Sequence, residues 1–272
     1  MLCFGYAVGV NPFGVILSAC LIALAGLQSG AQDIDPAALL HRVVDKYEGA
    51  KNSKTRFTYL ELVHTQNFNE RGKKTVDYTQ LFEVTYIADL EYSRLLEVNG
   101  KALSGKALEA EQKRFDNAVR ERSALDGFAR AKIQHQKMLD AGVKLPDLLT
   151  GYRSSVVDHV SMDGCDCVVT DSVPVSSAAK KHYRLWIDPN TSEIRRLDFD
   201  QLADDGEILR GGSGMQTFQY LDAIPLVVHS HFDGTARLNN ETARVVADHT
   251  FSKFRRFSVT TTILPAETDS KP

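Results

Sequence analysis

From Tyr152 to Ile263 the chain repeats one unit: a run of alternating side chains, then a turn. Asp163-Gly164 separates Val156–Met162 from Cys165–Val173, and Asp188-Pro189-Asn190-Thr191 separates Tyr183–Ile187 from Glu193–Phe199. Asp204-Asp205-Gly206 is a further turn, and Gly211-Gly212-Ser213-Gly214 predicts a bulge or sharp bend before Met215–Leu221. Leu226–Phe232, Thr242–Phe251 and Phe257–Ile263 complete the set, the last with near-perfect alternation. Such spacing of strands and turns predicts an antiparallel sandwich or barrel. With the strands before it, the count reaches about ten, too many for a flat open sheet, so the sheet must curl.

The N-terminal half adds strands and helices. Asp35-Pro36 is an N-cap followed by proline at the first helical position. Leu39, Leu40, Val43, Val44 and Tyr47 then form one helical stripe ending near Gly49. Phe57 to Val63 and Tyr78 to Tyr86 alternate as strands around a turn at Asn69-Glu70-Arg71-Gly72. Leu95–Val98 is a third run, closed by Asn99-Gly100. Residues 104–140 are rich in helix formers with mixed charges and a thin stripe of Leu108, Phe115 and Val119. The segment predicts two helices broken at Asp126-Gly127, either a solvated surface pair or a mobile cover over a cleft.

The first 31 residues stand apart. No Lys, Arg, Asp or Glu precedes Asp33, and residues 13–26 are an apolar run of signal-peptide length. Ser29-Gly30-Ala31 supplies the small residues of a cleavage site, which predicts a secretory signal removed after Ala31. Leu17-Ser18-Ala19-Cys20 offers a lipid-modified cysteine as an alternative, and an uncleaved anchor is a third; all three send the rest of the chain out of the cytoplasm. The expected organisation is a signal at 1–31, one domain at 32–264 with a helical insertion near 104–140, and a polar tail at 265–272. A net charge of −3 argues against a dedicated nucleic-acid binder. Beyond the signal, only Cys165 and Cys167 remain. Two residues apart on a strand, they sit near the upper span of a disulfide and read as small apolar side chains on one face.

Catalytic motifs are scarce. The chain has no phosphate loop, dinucleotide fingerprint or nucleophile elbow. His229-Ser230-His231-Phe232-Asp233 resembles the His-x-His-x-Asp-His signature of metallo-β-lactamase-type hydrolases, but Gly234 occupies the final histidine position. Period-2 geometry sets His229, His231 and Asp233 opposite Leu226, Val228 and Phe232, so the histidines face water if the apolar side faces in. Arg195-Arg196 and Lys253-Phe254-Arg255-Arg256 are basic clusters near strand ends, suited to a solvated rim or to anionic lipid headgroups.

Three stretches together resemble the LolA-like periplasmic lipoprotein-carrier and outer-membrane lipoprotein-sorting superfamily. They are Asp35-Pro36-Ala37-Ala38-Leu39-Leu40, Tyr183-Arg184-Leu185-Trp186-Ile187-Asp188-Pro189-Asn190-Thr191, and Phe251-Ser252-Lys253-Phe254-Arg255-Arg256-Phe257. The resemblance implies a mainly β (α+β) fold, a curled antiparallel sheet forming a half-open β-barrel covered by helices. It also implies a non-enzymatic envelope carrier without a cofactor. Its ligand would be a lipid or lipoprotein acyl chain held between sheet and lid, with inner- and outer-membrane partner proteins. The large apolar residues at alternating positions are the candidates for the concave face: Tyr59, Phe82, Val84, Tyr86, Trp186, Phe218, Tyr220, Phe232, Phe257 and Val259. For each, taken singly, ordinary core packing under a helix is the favoured alternative. Two other readings stay open: a metal-dependent hydrolase using His229 and His231, and an envelope-assembly module that binds no lipid.

Overall fold

The computed structural model describes residues 34–51, 56–140, 145–238 and 241–257, without the side chains of 51 and 134–140. The expected signal, Cys20, Val259, the strand beyond Phe257 and the tail lie outside the described residues. Helix α1 (Pro36–Lys51) precedes strands β1 (Arg56–Phe68), β2 (Lys74–Ile87), β3 (Leu90–Val98) and β4 (Lys101–Ala102). Helices α2 (Gly105–Ser123), α3 (Gly127–Asp140) and the short α4 (Asp147–Thr150) follow. Then come β5 (Tyr152–Met162), β6 (Cys165–Pro174), β7 (Lys181–Asp188), β8 (Glu193–Gln201), β9 (Ser213–Leu221), β10 (Ile224–Leu238) and β11 (Glu241–Phe257). No helix among the described residues is long and apolar enough to cross a membrane.

All eleven strands join one antiparallel sheet in the order β4-β3-β2-β1-β11-β10-β9-β8-β7-β6-β5. The fold is mainly β, as expected, and the sheet is open, with β4 and β5 at its edges. Two meanders meet where the last strand pairs with the first. This order explains the helical insertion, since the chain must travel from one sheet edge to the other between β4 and β5. Register shifts in several strand pairs add local twist to a sheet too wide to lie flat.

Some turns are invisible to a search for glycine. Asn99-Gly100 and Asp163-Gly164 have positive φ at both residues, as expected of tight hairpins. Ala88-Asp89 and Asp222-Ala223 do the same without glycine, so β3 begins earlier than the sequence suggests. The expected strand Thr242–Phe251 runs on as the continuous β11 as far as Phe257. It carries Lys253 at φ 56°, where the β1 pairing jumps between Thr58 and Leu60. A bulge absorbs the break in alternation there.

The main core lies between α1 and one half of the sheet. Leu39, Leu40, Val43 and Val44 of α1 pack with Leu148 of α4 and with Val168, Leu185, Ile187, Ile194 and Leu197 of β6 to β8. The helical stripe fixes this face, because residues three and four apart share one side. At the far end of α1, Lys46 bonds Glu193 at 2.9 Å and the Thr191 carbonyl at 2.9 Å.

The glycine-rich entry to β9 has a steric cause. A Cβ on Gly214 would lie 2.5 Å from the Phe199 ring and 2.9 Å from the His231 carbonyl. The aromatic ring therefore lies flat where a side chain would otherwise stand. Gly214→Ala is expected to cost about 1–3 kcal/mol through overpacking, measured as a lower denaturant midpoint with unchanged slope.

Helix α2 does not lie free in solvent. Its Glu111 is buried and accepts bonds from the Tyr92 hydroxyl (3.2 Å), the Leu95 amide (3.3 Å) and Arg114. Arg114 also donates to the Ser93 carbonyl, and Arg122 to the carbonyls of Leu90 (3.0 Å) and Glu91 (2.8 Å). These charged groups satisfy the backbone of β3 beyond its brief pairing with β4. They protect a sheet edge that would otherwise invite another strand. The expected break falls between Ser123 and Gly127, where the Asp126 carboxylate accepts the Ala129 amide at 2.7 Å.

Two buried carboxylates make the fold acid-sensitive. Burial opposes the charge on Asp188, but the Asn190 and Thr191 amides and Arg195 outweigh it and hold the carboxyl below its ordinary value. Glu111 is likewise lowered, since Arg114, Tyr92 and the Leu95 amide overcome desolvation. A lowered folded-state pKa contributes stability that is present above the unfolded-state value and lost as pH falls through the folded one. Melting temperature is expected to fall as pH drops below about 4–5. Asp188→Asn is expected to be less stable at pH 7 and to show a flatter acid limb; an unchanged acid limb contradicts the assignment.

Candidate functional site

Register partners in an antiparallel sheet share a face, so the pairing assigns the two sides. One row runs Leu185, Leu197, Gln216, Ser230, His249, Val63 and Gln80. A second runs Tyr183, Phe199, Gly214, Phe232, Ala247, Thr65 and Tyr78. Both lie on the side covered by α1. Phe218, paired with Val227, is on this side too and packs against the core under the helix.

Beyond α1 the same side continues as an aromatic surface. Phe82 faces Glu61, which faces Phe251, while Tyr59 faces Val84. The Tyr59 ring meets Phe251 at 5.9 Å and Phe254 at 5.4 Å between centroids, and Tyr86 meets Phe257 at 5.2 Å. Val84 is fully buried, whereas Phe82, Tyr59, Tyr86, Phe251, Phe254 and Phe257 are only half-buried. Tyr59, Phe251, Phe254 and Phe257 lie on β1 and β11, which are not among the principal packing partners of the helices, while Phe82 and Tyr86 lie on β2, whose other face meets α2. Burial, with the charges of Glu91 and Glu61, pushes the Tyr59 hydroxyl far above the ordinary tyrosine value, so it stays neutral.

One polar pair interrupts the aromatics. His249 Nδ1 is 2.8 Å from Glu61 Oε1, and its ring stacks on Phe251 at 6.1 Å. Alternation places Glu61 with Tyr59 and Val63, but nothing local in the sequence tells that His249 lies beside it. That contact joins residues 188 positions apart.

The sequence candidates do not all gather. Phe82, Val84, Tyr59, Phe218 and Phe232 share the α1 side. Tyr86 and Phe257 join through their ring contact. Tyr220 is a buttress: its hydroxyl accepts the Ile194 amide at 2.9 Å and its ring carries Lys46 and Arg195. Burial is the main reason its hydroxyl is pushed up to about 12. Trp186 faces the opposite side, paired with Val169 and Arg196, with the Arg196 guanidinium 4.8 Å from its ring. Val168 and Ile187 already fill the α1 side there, which turns Trp186 outward.

Across its centre that opposite side is polar, whereas at β2 and β3 it carries the buried Ile87, Leu90 and Tyr92 beneath α2. Arg184, Asp198, Met215, His231, Asp248 and His64 form one row across it. His231 Nδ1 is 2.7 Å and His229 Nε2 3.6 Å from the same Asp248 oxygen. Asp233, the aspartate of the His-x-His-x-Asp-His resemblance, is bound by Arg244, whose hydrogen bonds lower its pKa. Among the described residues no group of three or more His, Cys, Asp or Glu is placed to hold a metal ion. Gly234 cannot be replaced by the missing histidine, since a Cβ there would lie 2.5 Å from the Phe232 ring and 2.9 Å from the Gly212 Cα. An adjoining cavity of about 360 Å³ is lined chiefly by His182, Arg184, Arg196, Asp198, Asp200 and His231. It suits solvent or ions rather than hydrocarbon.

No family model matches the chain, and no curated protein matches it in sequence. Among solved structures, it is similar to a DUF1329 family protein from Desulfovibrio piger, at 12% identity and a TM-score of 0.36, over 84% of this chain and 96% of that one. It is similar to a Vibrio parahaemolyticus domain provisionally assigned as an outer membrane lipoprotein-sorting protein, at 11% identity and a TM-score of 0.36, over 82% and 95%. It is also similar to a LolA superfamily protein from Nitrosomonas europaea, at 8% identity and a TM-score of 0.32, over 81% and 94%. Likenesses this distant identify no function for the chain.

Proposed function

We propose that this chain is a non-enzymatic binding or carrier protein of the cell envelope, and that it holds acyl chains of lipid or lipoprotein on the aromatic half of the α1 side. The observation that carries this reading is the half-buried cluster of Tyr59, Phe82, Tyr86, Phe251, Phe254 and Phe257 beside a fully packed core. Apolar rings left partly in water gain free energy from any hydrocarbon laid on them, at roughly 25 cal/mol per Å².

An acyl chain contributes about 0.8 kcal/mol per buried CH₂. Eight methylenes laid on this surface would gain about 6 kcal/mol before ordering costs, enough for reversible capture. Reversibility suits a carrier, which must release what it takes. The Glu61–His249 pair gives the polar end of a ligand a hydrogen-bonding partner within reach of the rings. Export follows the leader-like first 31 residues, and the cell envelope is where acylated cargo meets water.

Native mass spectrometry of the full chain purified from membranes tests the reading. Co-purifying lipid, lost on replacement of Phe82, is the expected result. Stoichiometric zinc would favour the hydrolase reading, and neither lipid nor zinc would favour an assembly module.

A further inference from the structure

The side chains of the two cysteines of β6 touch. Cys165 Sγ and Cys167 Sγ are 2.8 Å apart. A disulfide bond is about 2.05 Å long, so a small side-chain shift would bring the two sulfurs into bonding range. Both side chains are buried, Cys167 completely and Cys165 at 9% exposure. The β5–β6 hairpin turn brings Cys165 opposite Met162 and Cys167 opposite Val160, next to the open edge of the sheet.

Arg195 gives the pair an electrostatic partner. Its guanidinium is bound by Asp188 at 3.3 Å and Glu193 at 3.0 Å, yet its buried Nε has no hydrogen-bond partner. Its charge acts on Cys167, where it opposes the effect of burial.

We propose that Cys165 and Cys167 are a thiol-exchange site that closes reversibly to an intrachain disulfide on meeting a small disulfide oxidant such as oxidised glutathione. Cys165, the thiol with some exposure, attacks as its thiolate and breaks the oxidant's S–S bond. One thiolate leaves and takes up a proton, and Cys165 carries the mixed disulfide. Cys167 then gives up its proton, its sulfur attacks Cys165 Sγ, and the second thiolate departs and is protonated. Two protein thiols are oxidised, and one oxidant disulfide is reduced to two thiols.

The order of attack follows from burial. Cys167 is completely buried and cannot meet the oxidant directly, and the same burial pushes its thiol up, so Cys167 is the resolving partner rather than the first nucleophile. Reversibility follows from geometry. Two residues along a strand span about 6.6–6.8 Å between Cα atoms, the upper limit for a disulfide, so closure strains β6. Strained disulfides are the more easily reduced ones. The site is independent of acyl binding on the α1 side.

The test incubates the full chain in glutathione mixtures of graded oxidation, then denatures, alkylates and digests it with trypsin. Residues 154–180 form one tryptic peptide holding both cysteines and no other. The expected result is a peptide with two alkyl groups under reducing mixtures. Under oxidising mixtures it should carry none and be lighter by two hydrogens, and the change should reverse on returning to reduced glutathione. Cys167→Ser is expected to trap a glutathione adduct on Cys165, while Cys165→Ser gains none when folded. Full alkylation at every ratio, a lasting adduct in the unmodified sequence, or equal adducts in both variants would overturn the proposal. The titration of the unmodified chain decides the matter if either variant fails to fold.

Discussion

Phe82→Asp is expected to weaken binding of a fluorescent fatty-acid probe by about 10- to 100-fold while leaving the fold intact. The magnitude follows from removing one large apolar contact worth roughly 1.5–3 kcal/mol, with each 1.4 kcal/mol worth a factor of ten. A carboxylate there also stands beside Glu61, its direct strand partner, and adds a like charge to the middle of the apolar surface. Phe82 is half-buried and lies outside the α1 core, so the fold does not depend on it as it does on Phe218, which packs against that core. His231→Ala is the matched control. It lies on the polar side against Asp248 and is expected to leave probe affinity unchanged. Equal loss in both variants contradicts the assignment of faces, because no contact through the sheet would explain it.

Leu185→Ala is expected to destabilise the protein by about 2–5 kcal/mol, with an unchanged denaturant slope. Leu185 is fully buried on β7, beneath the equally buried Leu39 and Leu40 of α1, and it pairs with Leu197 on the neighbouring strand. Removing its branched end leaves a void that the flanking strands cannot close, since both carry register-bound neighbours in the same row. The loss should be largest in the amides of β6 to β8 when followed by hydrogen exchange. A cost below about 1 kcal/mol would mean that α1 is loosely seated and that the core described under it is not the folding core. The two variants thus separate the halves of one face, one half sustaining the fold and the other left for a guest.

Much of this architecture was legible from alternation and turns. The Asp163-Gly164 and Asn99-Gly100 hairpins, the Asp188 turn and the α1 stripe each carry a local cause, and each forms where the residues predict. The misses share a different kind of cause. Ala88-Asp89 and Asp222-Ala223 turn tightly because the strands on either side hold them there, which no dipeptide announces. The bulge at Lys253 breaks the alternation on which a period of two depends. Helix α2 looked solvated because its decisive groups are charged. Glu111, Arg114 and Arg122 act on the backbone of an edge strand that comes before them in the chain.

The site was legible to the same degree. Alternation put Tyr59, Phe82 and Val84 on one side of their strands, but only the pairing of the first strand with the last brings Phe251 and Phe254 to them. Trp186 pointed the other way because its neighbours on both flanks already filled the core. Phe251, Phe254 and His249 were not among the concave-face candidates, since their run is broken by the bulge and mixed with charge. Aromatic residues beside and within the Lys253–Arg256 basic cluster were the one available signal.

Photo-crosslinking with a fatty acid that carries a diazirine near its tail tests the central claim most directly. After tryptic digestion, label is expected on the peptides 75–94, which carries Phe82 and Tyr86, and 245–253, which carries Phe251. Little should reach 185–195, which carries Trp186 on the polar side. Label concentrated on 185–195, or spread evenly over the chain at saturating probe, would contradict an acyl site on the aromatic half of the α1 side.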